Sequence, residues 1–128
     1  MGRTLLLGNP DRWAVAAALM AQVPVVSAAL GSLGGYPPVD AAASHWSIMT
    51  QKTSELFVAG PPLVKQALGI DTTKEELGNY KVHAYQSGVI DNVAEDETDA
   101  FHQIRLFLSY LPQNVWQQPP RLETGDDP

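Results

Sequence analysis

Apolar positions in this chain fall into short blocks separated by glycine, proline and small polar residues, and the spacing inside each block predicts its element. Residues 4–7 form an apolar run closed by Gly8, which reads as a strand. Asn9-Pro10 then offers an N-cap and a first-turn proline, and Trp13, Ala16, Ala17 and Met20 recur at helical spacing, predicting a helix that ends near Gln22. Residues 23–30 lack the alternation of a half-exposed strand and are rich in Val and Ala, as in a strand covered on both faces. The run Gly31-Ser32-Leu33-Gly34-Gly35 predicts a turn into a helix over about 37–43, with strands to follow around 45–49 and 56–59. Pro61-Pro62 opens a further helix, which Gly69 closes.

Beyond Gly69 the pattern changes. Thr73-Lys74-Glu75-Glu76 is a capping box for a short helix stopped by Gly78, with Glu76 reaching back to the Thr73 amide. Residues 81–90 read as extended chain interrupted at Ser87-Gly88. A longer helix is predicted from Asp96 to Leu111, with Asp96 and Asp99 at its positive end, Phe101, Ile104, Leu108 and Leu111 as one apolar stripe, and Pro112 as its stop. The reading divides the chain into a folded part at 1–112 and a linker or tail at 113–128, which holds three of the ten prolines. No internal repeat is visible. Strands alternating with helices give the α/β class, yet about five short strands are too few to cover one another on both faces, so the domain reads as incomplete.

Composition narrows the chemistry. A chain of 128 residues that is 45% hydrophobic suits one core. With no cysteine, disulfides, thiolate metal sites and thiol catalysis are excluded. The net charge of −6 argues against nucleic acid as partner. It is unevenly spread: residues 1–70 carry four basic and three acidic groups, residues 71–128 four and eleven, so an anionic ligand would sit better on the first part. Residues 13–39 contain no charge, but Gln22, Pro24 and Gly31 cut that run into pieces shorter than the ~20 residues a membrane span needs. The leucines after Arg3 are too few for a signal-peptide core, and Leu6 stands where a myristoylation signal has Ser or Thr.

The glycine turn is the best candidate for chemistry. A strand that empties through glycines into a helix start presents backbone N–H groups to a developing negative charge; the competing reading is a tight turn needing small residues for packing. His45, His83 and His102 form no metal spacing and have no nucleophile partner in the sequence. Glu95-Asp96-Glu97 with Asp99 is more simply a helix N-terminus attracting carboxylates. Trp116, beside Gln117 and Gln118, is either a docking anchor or a linker residue packed on its own domain.

Residues 23–31, then Thr53-Ser54-Glu55-Leu56-Phe57-Val58-Ala59-Gly60-Pro61, Glu75-Glu76-Leu77-Gly78 with Val82-His83, Ser87-Gly88-Val89-Ile90-Asp91, and the closing Leu108-Ser109-Tyr110-Leu111-Pro112 resemble the biotin-dependent acyl-CoA carboxyltransferases, the β subunits of propionyl-CoA and methylcrotonyl-CoA carboxylases. The resemblance runs from about residue 2 to 121. It implies the second half of the first of two crotonase-like domains, each a superhelix of strand-strand-helix units, plus the start of the interdomain linker. The implied reaction is carboxyl transfer from carboxybiotin to the α-carbon of an acyl-CoA, with no cofactor held directly and biotin on a partner carrier protein. Implied partners are the biotin carboxylase or carrier subunit, the remaining carboxyltransferase segments and other copies in an oligomer, with no nucleic acid or membrane; the implied compartment is the cytoplasm or the mitochondrial matrix.

Laid without gaps on the family pattern, Gly35 and Tyr36 match the glycine pair whose amides polarise the thioester oxygen as an enolate forms. Here the pair is Gly34-Gly35 instead, and Ser32 replaces a proline. Leu33 and Gly34 fall in the substrate-binding loop by the same match, and Lys52 and Lys65 are candidates to meet CoA phosphates, against the plainer reading of solvated surface lysines. The segment is expected to be inactive alone. Two other readings stay open: a stand-alone crotonase-like acyl-CoA hydrolase or isomerase, which needs its own general base, and a non-catalytic interaction module.

Overall fold

The computed structural model describes residues 11–119, together with 121 and 125. The strand expected at 4–7 and the Asn9-Pro10 cap lie outside the described residues. Helix α1 spans Asp11–Met20, then come strands β1 (Val26–Ala29) and β2 (Ser32–Gly34) and helix α2 (Pro37–Ala42). Strands β3 (Trp46–Thr50) and β4 (Glu55–Phe57) and helix α3 (Pro61–Leu68) repeat that order. Helix α4 (Lys74–Gly78) and a π-helix (Lys81–Gln86) precede β5 (Asn92–Ala94) and α5 (Glu97–Ser109).

Two consecutive strand-strand-helix units are therefore visible, and an internal repeat exists that residue identity conceals. The first strand of each unit joins one parallel sheet, in the order β1-β3-β5, and the second strand joins another, β2-β4. The register sets Val26 beside Trp46 and Gly34 beside Phe57. Both helices open on two prolines, Pro37-Pro38 and Pro61-Pro62, whose missing N–H groups cost nothing in a first turn. What repeats is backbone punctuation, which identity scoring does not weigh.

β3 is the central strand, and its successive side chains face opposite ways. Met49 joins Ala29, Leu56 and Ile90 in one core cluster, while Ile48 joins Ala94 and Ala100 in the other. The strand covered on both faces is thus β3. Residues 23–30, expected in that role, supply the four-residue edge strand β1, of which Ala29 alone is fully buried. Buried hydroxyls are paired: Ser47 N and Oγ both donate to Asp91 Oδ2 at 2.8 and 2.9 Å, and Ser54 Oγ donates to Thr50 O at 2.6 Å.

The extended chain expected at 81–90 is corrected. Residues 81–86 wind into a π-turn closed by the Ser87 amide on Val82 O, 2.9 Å, and Gly88, at φ +67°, releases the chain toward β5. The stripe on α5 is also corrected. Ala100 and Ile104 face the sheet, and Phe107 stacks on Trp46 with centroids 5.1 Å apart, whereas Phe101 and Leu108 are exposed. Among the described residues no helix is long and apolar enough to cross a membrane.

Candidate functional site

The glycine run contains a strand. Ser32, Leu33 and Gly34 pair in parallel with Glu55, Leu56 and Phe57, and the Gly35 amide extends the ladder by donating to Phe57 O at 3.0 Å. Leu33 packs against the core cluster of Ala29, Met49, Leu56 and Ile90. Gly34 lies against the Phe57 ring so closely that a Cβ would meet Cε2 at 3.0 Å. The turn itself is made at Gly35, whose φ of +83° is open to glycine and strained for other residues.

Tyr36 is the N-cap of α2, in helical conformation at φ −76° and ψ −40°. Pro37 and Pro38 follow and carry no N–H, and the Val39 amide bonds Tyr36 O at 2.9 Å. The expected set of bare amides at this helix start is therefore smaller than its position in the fold suggests: Gly35 spends its donor on β4 and the prolines have none. The Pro37-Pro38 pair was the signal in the sequence that bears on this.

Two apolar cavities flank α2. The larger, about 540 Å³, lies between α1, the start of β1 and α2, with Trp13, Met20, Val25, Ser27, Asp40 and Ser44 in its wall. Trp13 links it to the turn, its ring meeting Tyr36 edge-on at 5.3 Å. The smaller, about 230 Å³, is walled by Pro38, Val39, Phe57, Val58, His83 and Val89. Leu33, Gly34, Gly35 and Tyr36 are thus brought together, whereas Lys52 and Lys65 lie on other elements. Lys52 is exposed in the turn after β3, and Lys65 on α3 forms an exposed ion pair with Asp71.

Of the three histidines without a role in the sequence, His83 lies nearest the glycine turn's support. Its Nε2 lies 2.7 Å from Leu56 O, on the strand that receives the Gly35 amide. Gly78 closes on the same carbonyl, where a Cβ would stand 1.8 Å from Leu56 O. The other histidine with a defined contact, His45, accepts from the Val25 amide through Nδ1 at 3.0 Å and fixes the entry to β1.

Comparison with known proteins rests on the same segment: residues 14–128 match the family described as the carboxyl transferase domain. The chain belongs to that family. This carboxyl transferase segment is 39% identical over 106 residues to the propionyl-CoA carboxylase carboxyltransferase subunit of Haloferax mediterranei, covering 83% of this chain and 20% of that protein. It is 36% identical over 106 residues to the methylmalonyl-CoA decarboxylase subunit alpha of Veillonella parvula, covering 83% and 21%. Among solved structures, transcarboxylase 12S, described as a hexamer with hydrolysed methylmalonyl-CoA bound, superposes with a TM-score of 0.79 at 31% identity, covering 90% of this chain and 23% of that one. The carboxyl transferase segment spans about a fifth of the length of these curated relatives. Its strand-strand-helix units are part of a crotonase-like superhelix, as the resemblance implied.

Proposed function

We propose that this chain forms part of the acyl-CoA site of a biotin-dependent carboxyltransferase, with the Tyr36 amide at the head of α2 as the donor to the thioester oxygen. The observation that carries the reading is the turn between β2 and α2: Gly35 at φ +83° ends the strand, binds inward to Phe57 O, and sets Tyr36 at the helix start. The Gly35 amide braces the turn by donating to Phe57 O, and the Tyr36 amide follows it at the head of the helix. A preorganised donor serves a developing enolate because it needs no reorganisation as charge appears. The apolar cleft beside Trp13 is of a size that takes a small ligand group and suits an acyl chain.

Carboxybiotin on a partner carrier protein would supply the carboxyl group, and the surfaces that receive it belong to other segments. Relatives named carboxylase and decarboxylase both match this chain. Making and breaking the bond between the carboxyl carbon and the α-carbon share one enolate, so the same donor serves both directions. Residues 113–128 read as a linker toward the next domain.

The test replaces the matching segment of the Haloferax subunit with residues 14–119 of this chain and follows labelled bicarbonate into propionyl-CoA. Transfer above a segment-deleted control is expected. Tyr36→Pro, which keeps φ and removes the N–H, should lower kcat by ~10²–10³ with little change in KM. An assembled Tyr36→Pro subunit with undiminished kcat overturns the donor role, and an assembled swap without transfer overturns the function.

A further inference from the structure

We propose that His83 is a positioning residue for the glycine turn, acting through the backbone of β4; its catalytic relevance rests on the reading above. Carbonyls along a strand point alternately to its two sides. Phe57 O faces β2 and accepts the Gly35 amide, so Leu56 O faces the outer edge of β4, which among the described residues no strand covers in the sheet of order β2-β4. There the π-helix delivers His83 Nε2 at 2.7 Å. Leu56 O can only accept, so Nε2 carries the proton. Two successive peptide units of β4, on either side of the Phe57 Cα, are thereby held from opposite edges, by His83 on one and Gly35 on the other.

The second nitrogen shows why the imidazole is there. Among the described residues Nδ1 is buried with no hydrogen-bond partner, a cost that an apolar side chain filling the same space would not incur. Packing alone does not account for it, whereas the donor to Leu56 O does. Gly78 contributes the other half of the arrangement, since its missing Cβ lets the end of α4 lie on that carbonyl and brings the π-helix within reach. The ring also forms part of the wall of the smaller cavity with Phe57, whose own ring covers Gly34. The chain of contacts from His83 through Leu56 and Phe57 to Gly35 is continuous.

The experiment uses the full chain, labelled with ¹⁵N, and compares hydrogen exchange of the Gly35 amide with that of Gln51, which bonds Ala94 O in the other sheet at 2.9 Å. In His83→Phe, exchange at Gly35 should rise roughly ten- to hundredfold relative to Gln51, as expected when a buried carbonyl loses its partner. His83→Gln, which retains a terminal N–H donor, should recover most of the protection. Equal rises at Gly35 and Gln51, or no change at Gly35, overturn the proposal. Unmodified protein supplies an independent check if a variant fails to fold: imidazole ¹⁵N shifts must show the Nε2–H tautomer, and the Nδ1–H tautomer overturns the assignment. In the segment-swapped subunit, His83→Phe should lower kcat about tenfold with KM nearly unchanged, and His83→Gln should restore it. Exchange requires no acyl-CoA or biotin, so the brace can stand even if the Tyr36 donor role falls.

Discussion

Two glycines in this chain are required for unrelated reasons, and substitution separates them. At Gly35 a Cβ would meet nothing within 4 Å, so the cost of Gly35→Ala is the left-handed backbone itself, about 1–2 kcal/mol. At Gly78 a Cβ would stand 1.8 Å from Leu56 O and 2.7 Å from its carbonyl carbon, backbone atoms that cannot swing aside. Gly78→Ala must lift α4 from β4, and a loss above about 4 kcal/mol or outright unfolding is expected. Urea denaturation followed by circular dichroism orders the two variants; equal costs would remove the steric account of Gly78. Glu76 gives a pH-dependent counterpart. The Thr73 amide, then the Thr72 and Thr73 hydroxyls, hold its carboxyl below the ordinary value of 4.5. Because the folded value is depressed, its contribution is fully present above the unfolded value and is lost as pH falls through the folded one. Acid titration of α4 helicity should show this step in the native chain and not in Glu76→Gln. Both capping partners could be read from Thr73 and Glu76 because the motif is local. Gly78 and His83 could not, since what gives each its role is Leu56, distant in sequence.

Elements follow the same division between local and distant causes. Helix starts at Pro37, Pro61, Thr73 and Asp96 were legible, as was the stop at Gly69, which adopts φ +71°. Strands β2 and β5, three residues each, carry no periodic signal of their own and exist because β4 and β3 pair with them. The π-helix escaped for a related reason: a short polar-apolar mixture ending in Ser87-Gly88 suits extended chain equally well. On α5 the expected stripe held at Ile104 but was one residue late at Phe101 and Leu108, where Ala100 and Phe107 take the inner positions. Alanine is weakly apolar to a pattern search, yet Ala100 is wholly buried against Ala94 on β5, a close approach that larger side chains would prevent. Ala100→Leu should therefore cost about 1–3 kcal/mol by overpacking, while Phe101→Ser on the exposed neighbouring face should cost under about 1 kcal/mol. Reversed costs in thermal or urea melts would return the stripe to Phe101.

For the whole molecule, the surface of the described residues is apolar in several places. Large apolar side chains share in that surface: Val58, Leu63 and Leu68 are 71%, 59% and 68% exposed, and Trp116 is 91% exposed. Contiguous apolar exposure on a protein surface is the usual mark of an interaction site. The isolated chain should self-associate in sedimentation velocity as concentration rises, and Leu63→Glu with Leu68→Glu should weaken that association; a monomer at every concentration would mean that the surface needs no partner. The incompleteness expected from the few strands agrees with the fifth of the relatives' length that the chain spans. The parallel register described earlier also governs the timing of assembly. Every strand pair among the described residues is non-local, and β3 gains its second neighbour only when Ile48 meets Asn92, after α3, α4 and the π-helix have all been laid down. Loop closure on that scale must precede any reward from pairing, which places refolding at the slow end of small domains, in milliseconds to seconds. During that interval Ile48 and Met49, the largest fully buried side chains among the described residues, remain open to wrong partners, and a nascent chain released before residue 94 would have only one edge of its central strand occupied.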